Sequence, residues 1–258
     1  MTTNQDLTAI YYTSNHLEET NPYFLNNTKK QLAKAAGHLP LVIVSQKEEN
    51  IEDWKALGFT DVTNICVGDM GRSHLNIYRQ ILIGCKAAKT TFVVMVEDDI
   101  LYSPEHFQFT DYIKDPQKDV FYYDMNKLSL FTWIRPAMFS FRFKREVVNQ
   151  LVCGREYLIE AMEERFSKLE QLKKGGWNEE KVIKYWGDPG RYEDILGVTV
   201  RKTRQESCKN PSIVFSHEYA YGYEFNQGKK KRLGDLRIIE MYGWGRAEDI
   251  LKLYDKDV

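Results

Sequence analysis

Short apolar runs alternate with amphipathic stretches through the first half of the chain. Residues 7–12, 39–45, 62–67 and 92–96 are mainly apolar, β-prone runs of strand length. Between them, residues 22–36 open on Pro22 and stop at Gly37, and residues 51–57 stop at Gly58, the punctuation of helices. Gly71-Arg72-Ser73 leads into a further helix in which Leu75, Tyr78, Leu82 and Cys85 recur at helical spacing. Alternating strands and helices predict an α/β fold with a central, mostly parallel sheet flanked by helices. Ligands of such sheets sit beyond the carboxyl ends of the strands. The loops at residues 13–15, 45–47, 68–72 and 97–99 are therefore expected to open on one side.

The second half is less regular. Residues 120–125 and 137–143 read as strands, the latter passing into a helix from Arg145. Residues 156–174 predict a long charged helix stopped by Gly175-Gly176, residues 192–200 a helix, 212–216 a short strand and 247–254 a final helix. No repeat or long linker interrupts the pattern, so residues 1–258 are expected to form one domain. Its first half would be about residues 1–100, its second about 101–225, and its tail 226–258.

The strand at 92–96 runs directly into Glu97, Asp98 and Asp99. Clustered carboxylates at a strand end place negative charge where a hard divalent cation, Mn2+ or Mg2+, can neutralise it while keeping positions open for phosphate oxygens. Glu97 and Asp99, one residue apart, project to the same side of an extended chain end. A solvated acidic turn would have the same composition.

Three further features bear on chemistry. Glu193-Asp194 follows the turn Gly187-Asp188-Pro189-Gly190; an acid pair there suits a helix N-terminus, and equally a general base. His217 follows a short strand, where a neutral imidazole can complete a cation's ligand sphere or simply be a hydrogen-bonded core residue. The basic run at 229–232, with Lys230 and Lys231 at its centre, is either a solvated loop or a cationic flap for a diphosphate or nucleic acid.

Composition narrows the classes. The 36 basic and 37 acidic residues give a net charge of -1, which offers no global attraction to nucleic acid or anionic membrane. The four cysteines, Cys66, Cys85, Cys153 and Cys208, form no CxxC pair and read as reduced core residues. The first residues lack the pattern of a secretory signal, and no apolar run is long enough to span a membrane, so a cytoplasmic protein is expected.

The order of these features resembles the GT-A superfamily of nucleotide-sugar-dependent glycosyltransferases, and within it the large inverting family two type. Glu97-Asp98-Asp99 after VVMV matches its metal-binding DxD motif, Glu193-Asp194 its "ED" base motif, and His217 its C-terminal metal-binding histidine. The resemblance covers roughly residues 7–220 and implies a single Rossmann-like GT-A domain, with the nucleotide-sugar half at about 1–100 and the acceptor-side half at about 101–225. It implies that Asp99 and His217 hold Mn2+ or Mg2+ against the donor diphosphate, with Glu97 supporting the metal or the sugar. It further implies that Asp194, beside Glu193, deprotonates an acceptor hydroxyl for inverting attack. Thr13, Ser14, Asn15, Gln46 and Asp98 would contact the donor, and Arg72, Lys230 and Lys231 would reach its phosphates. The donor would be a nucleoside diphosphate sugar, uridine diphosphate being the family's commonest nucleotide, and the acceptor a glycan or another hydroxyl.

Two departures stand out: Glu97 replaces the usual first Asp, and the second strand ends in Ser-Gln-Lys instead of acids. Sugar-1-phosphate nucleotidyltransferases share such a sheet, but their Gly-rich, basic first loop is here Thr-Ser-Asn-His-Leu-Glu-Glu. A non-catalytic glycan- or nucleotide-binding module, and transfer to a nucleic-acid base, are the remaining alternatives. Phe131-Thr132-Trp133 would suit an acceptor platform or plain packing.

Overall fold

The computed structural model describes residues 6–141, 146–220 and 236–257. Its first half runs β1 (Leu7–Thr13), α1 (His16–Thr20), α2 (Pro22–Ala36), β2 (Leu41–Ser45), α3 (Ile51–Leu57), β3 (Val62–Cys66), α4 (His74–Ala87) and β4 (Phe92–Val96). Next come β5 (Ile100–Leu101), the one-turn helices α5 (Pro104–Phe107) and α6 (Phe109–Tyr112), β6 (Phe121–Asp124), β7 (Lys127–Phe131) and β8 (Phe139–Phe141). A 3-10 turn at Val148–Gln150 leads into β9 (Leu151–Gly154), α7 (Arg155–Lys174), α8 (Glu179–Trp186) and α9 (Glu193–Leu196). The chain continues through β10 (Thr203–Glu206), β11 (Ser212–Ser216), β12 (Leu236–Ile238), β13 (Glu240–Met241), β14 (Gly245–Arg246) and α10 (Ala247–Leu251).

The helix starts are capped as their sequences dictate. Asn21 accepts from the Phe24 amide before Pro22, Asn50 from the Glu52 amide, and Ser73 from the Asn76 amide. Gly58 ends α3 at φ 119°, a left-handed backbone that favours glycine.

The central sheet has the order β10-β6-β9-β4-β1-β2-β3. Strands β4, β1, β2 and β3 pair in parallel, β10 pairs in parallel with β6, and β9 runs antiparallel between β4 and β6. The expected α/β architecture, a mostly parallel sheet flanked by helices, is what forms. Strand β1 divides its side chains between two cores: Leu7, Ala9 and Tyr11 pack with Leu32, Ala36 and Trp54, while Ile10 and Tyr12 pack with Tyr78, Ile81 and Met162. Every residue of β1, β2 and β4 is buried, as sheets covered on both faces require. A second sheet, β12-β8-β7-β11-β5, packs Leu128, Leu130 and Phe215 against Phe24 of α2 and against Leu251 and Tyr254 of the C-terminal segment.

Several second-half elements differ from the sequence-based expectation. The segment at 151–154 is the buried strand β9, lying between β4 and β6. Its four-residue run is too short to show a period, and its backbone passes so close to Lys118 that a Cβ at Gly154 would stand 2.1 Å from that carbonyl oxygen. Strand β10 is the polar run Thr-Arg-Gln-Glu on a sheet edge, which carries no apolar alternation. The helix expected at 192–200 is only α9, because Gly197 turns left-handed at φ 67°. The strand expected at 137–143 is Phe139–Phe141, and Arg145, where a helix was expected to begin, lies outside the described residues.

Candidate functional site

A cavity of about 310 Å³ lies at the carboxyl ends of β1, β2 and β4. The four loops expected to open on one side all contribute to it, through Thr13 and Ser14, Gln46, Gly71 and Arg72, and Glu97 to Asp99. Asn76 and Gln80 of α4, Val148 and Asn149, Asp188, and His217 with Tyr219 complete the wall. The loops are tied to one another by buried side chains. Gln80, 2% exposed, donates to the carbonyls of Thr13 (2.8 Å) and Val44 (3.0 Å), clamping the ends of β1 and β2 together. Gln46 donates to the Gly71 carbonyl at 3.0 Å and accepts from the Met70 amide at 3.1 Å.

Asn15 does not line the cavity. Its side-chain oxygen accepts from the amides of Gln46 and Lys47, both at 2.9 Å, while its amide group donates to Glu18 and Glu49. Asn15 therefore shapes the loop after β2, and its own backbone is left-handed at φ 57°. Arg72 lines the cavity and donates to the Tyr219 carbonyl at 2.5 Å, joining the β3–α4 loop to the segment after β11.

The three strand-end acids have different surroundings. Glu97 accepts from the Tyr12 hydroxyl at 2.8 Å and from the Asn149 amide at 2.6 Å. Burial and then the neighbouring Asp99 charge push its carboxyl up to about 8, against the opposing pull of the Asn149 and Tyr12 donors. Asp98 accepts from the Thr13 hydroxyl at 2.6 Å; burial, then Asp99, raise it to about 6. Asp99 has no such donor: its Oδ1 is buried without a hydrogen-bond partner, and its Oδ2 stands 3.4 Å from Nε2 of His217. The register that brings them together is set by β11, whose Phe215 amide donates to the Asp99 carbonyl at 3.1 Å. His217 is 1% exposed, its ring lies against Phe24 and Tyr254, and both its ring nitrogens lack a hydrogen-bond partner. Buried polar atoms are almost always satisfied. Asp99 and His217 together present several that are not, at one point on the cavity wall.

The pair Glu193-Asp194 lies elsewhere. Neither residue lines the cavity. Glu193, 3% exposed, turns inward to accept from the amides of Gly190 (2.9 Å) and Arg201 (2.6 Å) and to pair with Arg165. Asp194 is exposed on the one-turn helix α9. The acid that does reach the cavity is Asp188, from the preceding turn. Its Oδ1 accepts from the Tyr78 hydroxyl (3.2 Å) and the Val148 amide (2.7 Å), and its Oδ2 pairs with Arg191 at 3.0 Å. The loop that carries it is gathered by the buried Arg165, whose guanidinium donates to the carbonyls of Trp186, Gly187, Asp188 and Arg191. Asp188 and Asn149 were not singled out from sequence; the Asp-Pro-Gly turn signals a loop but not where that loop points. Lys230 and Lys231 lie outside the described residues.

Among the described residues no helix is long and apolar enough to cross a membrane. No protein-family model and no curated protein matches the chain. Solved structures are similar over most of its length. The glycosyltransferase GlyE of Streptococcus pneumoniae TIGR4 aligns at 9% identity and a TM-score of 0.42, over 86% of this chain and 48% of that one. TarS of S. aureus, in complex with UDP-GlcNAc, aligns at 12% identity and 0.43, over 82% of this chain and 59% of that one. The 4-diphosphocytidyl-2C-methyl-D-erythritol synthase of Anaerococcus prevotii DSM 20548 aligns at 13% identity and 0.46, over 87% of this chain and 97% of that one. The chain thus spans about half the length of GlyE. All three TM-scores lie below 0.5, so the likeness is one of coarse strand and helix arrangement, and what the cavity can do is set by its own side chains.

Proposed function

We propose that this chain is a divalent-cation-dependent glycosyltransferase, moving a sugar from a nucleoside diphosphate sugar, with uridine diphosphate as the nucleotide, to an acceptor hydroxyl. The observation that carries the reading is the convergence of Asp99 and His217, with buried and unpartnered polar atoms, beside Glu97 and Asp98 at the mouth of a parallel sheet. A hard cation serving a diphosphate takes one or two protein carboxylates and leaves its other positions to phosphate and water. Asp99 and His217 fit that role, and among the described residues no group of three or more His, Cys, Asp or Glu side chains forms a ready cage. When bound, Mn2+ or Mg2+ offsets the charge that builds on the departing diphosphate.

The chain's own residues supply the rest. Thr13, Ser14 and Gln46 line the donor end, and Arg72 stands on the wall as a cation for the diphosphate. Glu97, held by Tyr12 and Asn149, is positioned for a sugar hydroxyl. In the transfer the bond from the anomeric carbon to the phosphate oxygen breaks, and its electron pair leaves with the diphosphate. The acceptor oxygen bonds to that carbon from the opposite side, inverting it, and gives up its proton. Asp188 takes that proton in this reading, because it lines the cavity and Asp194 does not. A carboxylate has about four lone-pair sites; Asp188 commits three, to Tyr78, Val148 and Arg191, which leaves one on Oδ2.

The test is release of nucleoside diphosphate from a panel of nucleotide sugars with manganese present, repeated with Asp99→Ala. Turnover that disappears in the variant supports the reading. Binding of nucleotide sugars with no turnover on any donor would instead mark a binding module.

A further inference from the structure

Three half-buried or exposed aromatic rings stand in series along the segment from Trp177 to Tyr192. Trp177 and Tyr185 have ring centroids 5.8 Å apart, and Tyr185 and Tyr192 are again 5.8 Å apart. Each ring carries one cation: Lys181 Nζ lies 4.5 Å from the Trp177 centroid, Lys184 Nζ 5.0 Å from Tyr185, and the Arg191 guanidinium 5.2 Å from Tyr192. Lys181 and Lys184 are exposed, and no described carboxylate is paired with either. The row is linked to the cavity through Arg191, which pairs with the wall residue Asp188.

We propose that this face docks single-stranded nucleic acid and presents it to the cavity as the acceptor. The proposal deepens the reading above and rests on it for the reaction, adding the class of acceptor. Its ground is the pairing of one ring with one cation at each step. A neutral glycan uses ring faces and has no need of the lysines. A polyphosphate uses the lysines and has nothing to stack. A single strand of nucleic acid offers a planar base and one phosphate per residue, and sequence-tolerant sites for it combine these same two elements. A duplex keeps its base faces stacked inside. The net charge of -1 means that the attraction is local to this face.

The test is fluorescence anisotropy of a short labelled oligothymidylate at low salt, with release of nucleoside diphosphate from a uridine diphosphate sugar measured separately in its absence. Saturable binding is expected, with a slope of log affinity against log salt of about −1.4, as two phosphate contacts, at Lys181 and Lys184, of about −0.7 each would give. Tyr192→Ala and Lys184→Glu alter exposed side chains, so both variants are expected to fold. Tyr192→Ala should weaken binding at least about fivefold, Lys184→Glu should flatten the salt slope, and Lys184→Glu should leave nucleoside diphosphate release unchanged. No saturable binding, a Tyr192→Ala variant that binds as tightly as the parent, or equal displacement by inorganic polyphosphate or a neutral oligosaccharide would each overturn the proposal. Donor cleavage without oligonucleotide binding removes this surface and spares the donor site. Binding without donor cleavage on any nucleotide sugar removes the glycosyltransferase reading and leaves a nucleic-acid-binding face.

Discussion

Asp99 Oδ2 stands 3.4 Å from Nε2 of His217, while Oδ1 of the same carboxylate is buried without a partner. Asp99 lies between β4 and β5 and His217 just past β11, and the bond from the Phe215 amide to the Asp99 carbonyl extends the antiparallel pairing of β11 with β5. If the pair holds a cation against a diphosphate, manganese and uridine diphosphate together should raise the melting temperature of the parent. A ligand at a hundred times its Kd contributes about 2.7 kcal/mol. Asp99→Ala and His217→Ala should lose that shift, and turnover should fall by about a hundredfold or more. Differential scanning fluorimetry with and without the two ligands is the check.

Glu97 depends on its two donors. Asn149→Ala leaves its half-buried Oε2 without that hydrogen bond, which costs about 1–3 kcal/mol. The variant should unfold at lower denaturant concentration by that amount and turn over more slowly. Tyr12→Phe removes the other donor and should behave alike. Urea titrations of the two variants and the parent measure the loss; unchanged midpoints in both would show that neither bond supports Glu97.

The proton acceptor is settled by comparing two acids in one assay. Asp188→Asn should lower turnover by about 10²–10⁴-fold, the usual range for general acid–base catalysis. Asp194→Asn, a change on an exposed one-turn helix, should leave turnover within a factor of a few. The reverse result would mean that α9 moves into the cavity when substrates bind.

Much of this site was legible in the sequence because strand ends announce themselves. Apolar runs that stop at polar loops placed Thr13, Gln46, Arg72 and the acids after β4 on one side of a parallel sheet, and the structure opens those four loops on one cavity. Asp188 and Asn149 were not legible, because their loops are aimed by tertiary bonds: Arg165 to four carbonyls in one case, the buried strand β9 in the other. The Glu193-Asp194 pair shows the converse. Its spacing suits a base motif, but Glu193 is occupied in closing its own loop onto Arg165 and Arg201, a demand that local sequence does not reveal.

Acid should loosen the fold around Asp124, at the carboxyl end of β6. Burial alone would raise the Asp124 carboxyl, but the hydrogen bond and charge of His106, with the Cys208 and Asn126 donors, outweigh burial and hold it below 3.8. A depressed folded pKa adds stability that is fully present well above 3.8 and is lost as pH falls through the lower, folded value. Asp124→Asn should therefore be less stable than the parent at pH 7, by about 1.5–3 kcal/mol as for a lost hydrogen bond to a charged group. The gap should narrow below about pH 4. Urea midpoints across that range test it, and a gap that widens with acid would reverse the sign.

The central claim is that Asp99 and His217 share one divalent cation with a nucleoside diphosphate. Anomalous diffraction from crystals soaked with manganese and uridine diphosphate tests this most directly. The account predicts one manganese peak bonded to the Asp99 carboxylate and to Nε2 of His217, with diphosphate oxygens completing its sphere. A diphosphate seated in the cavity with no manganese between it and these two residues would contradict it.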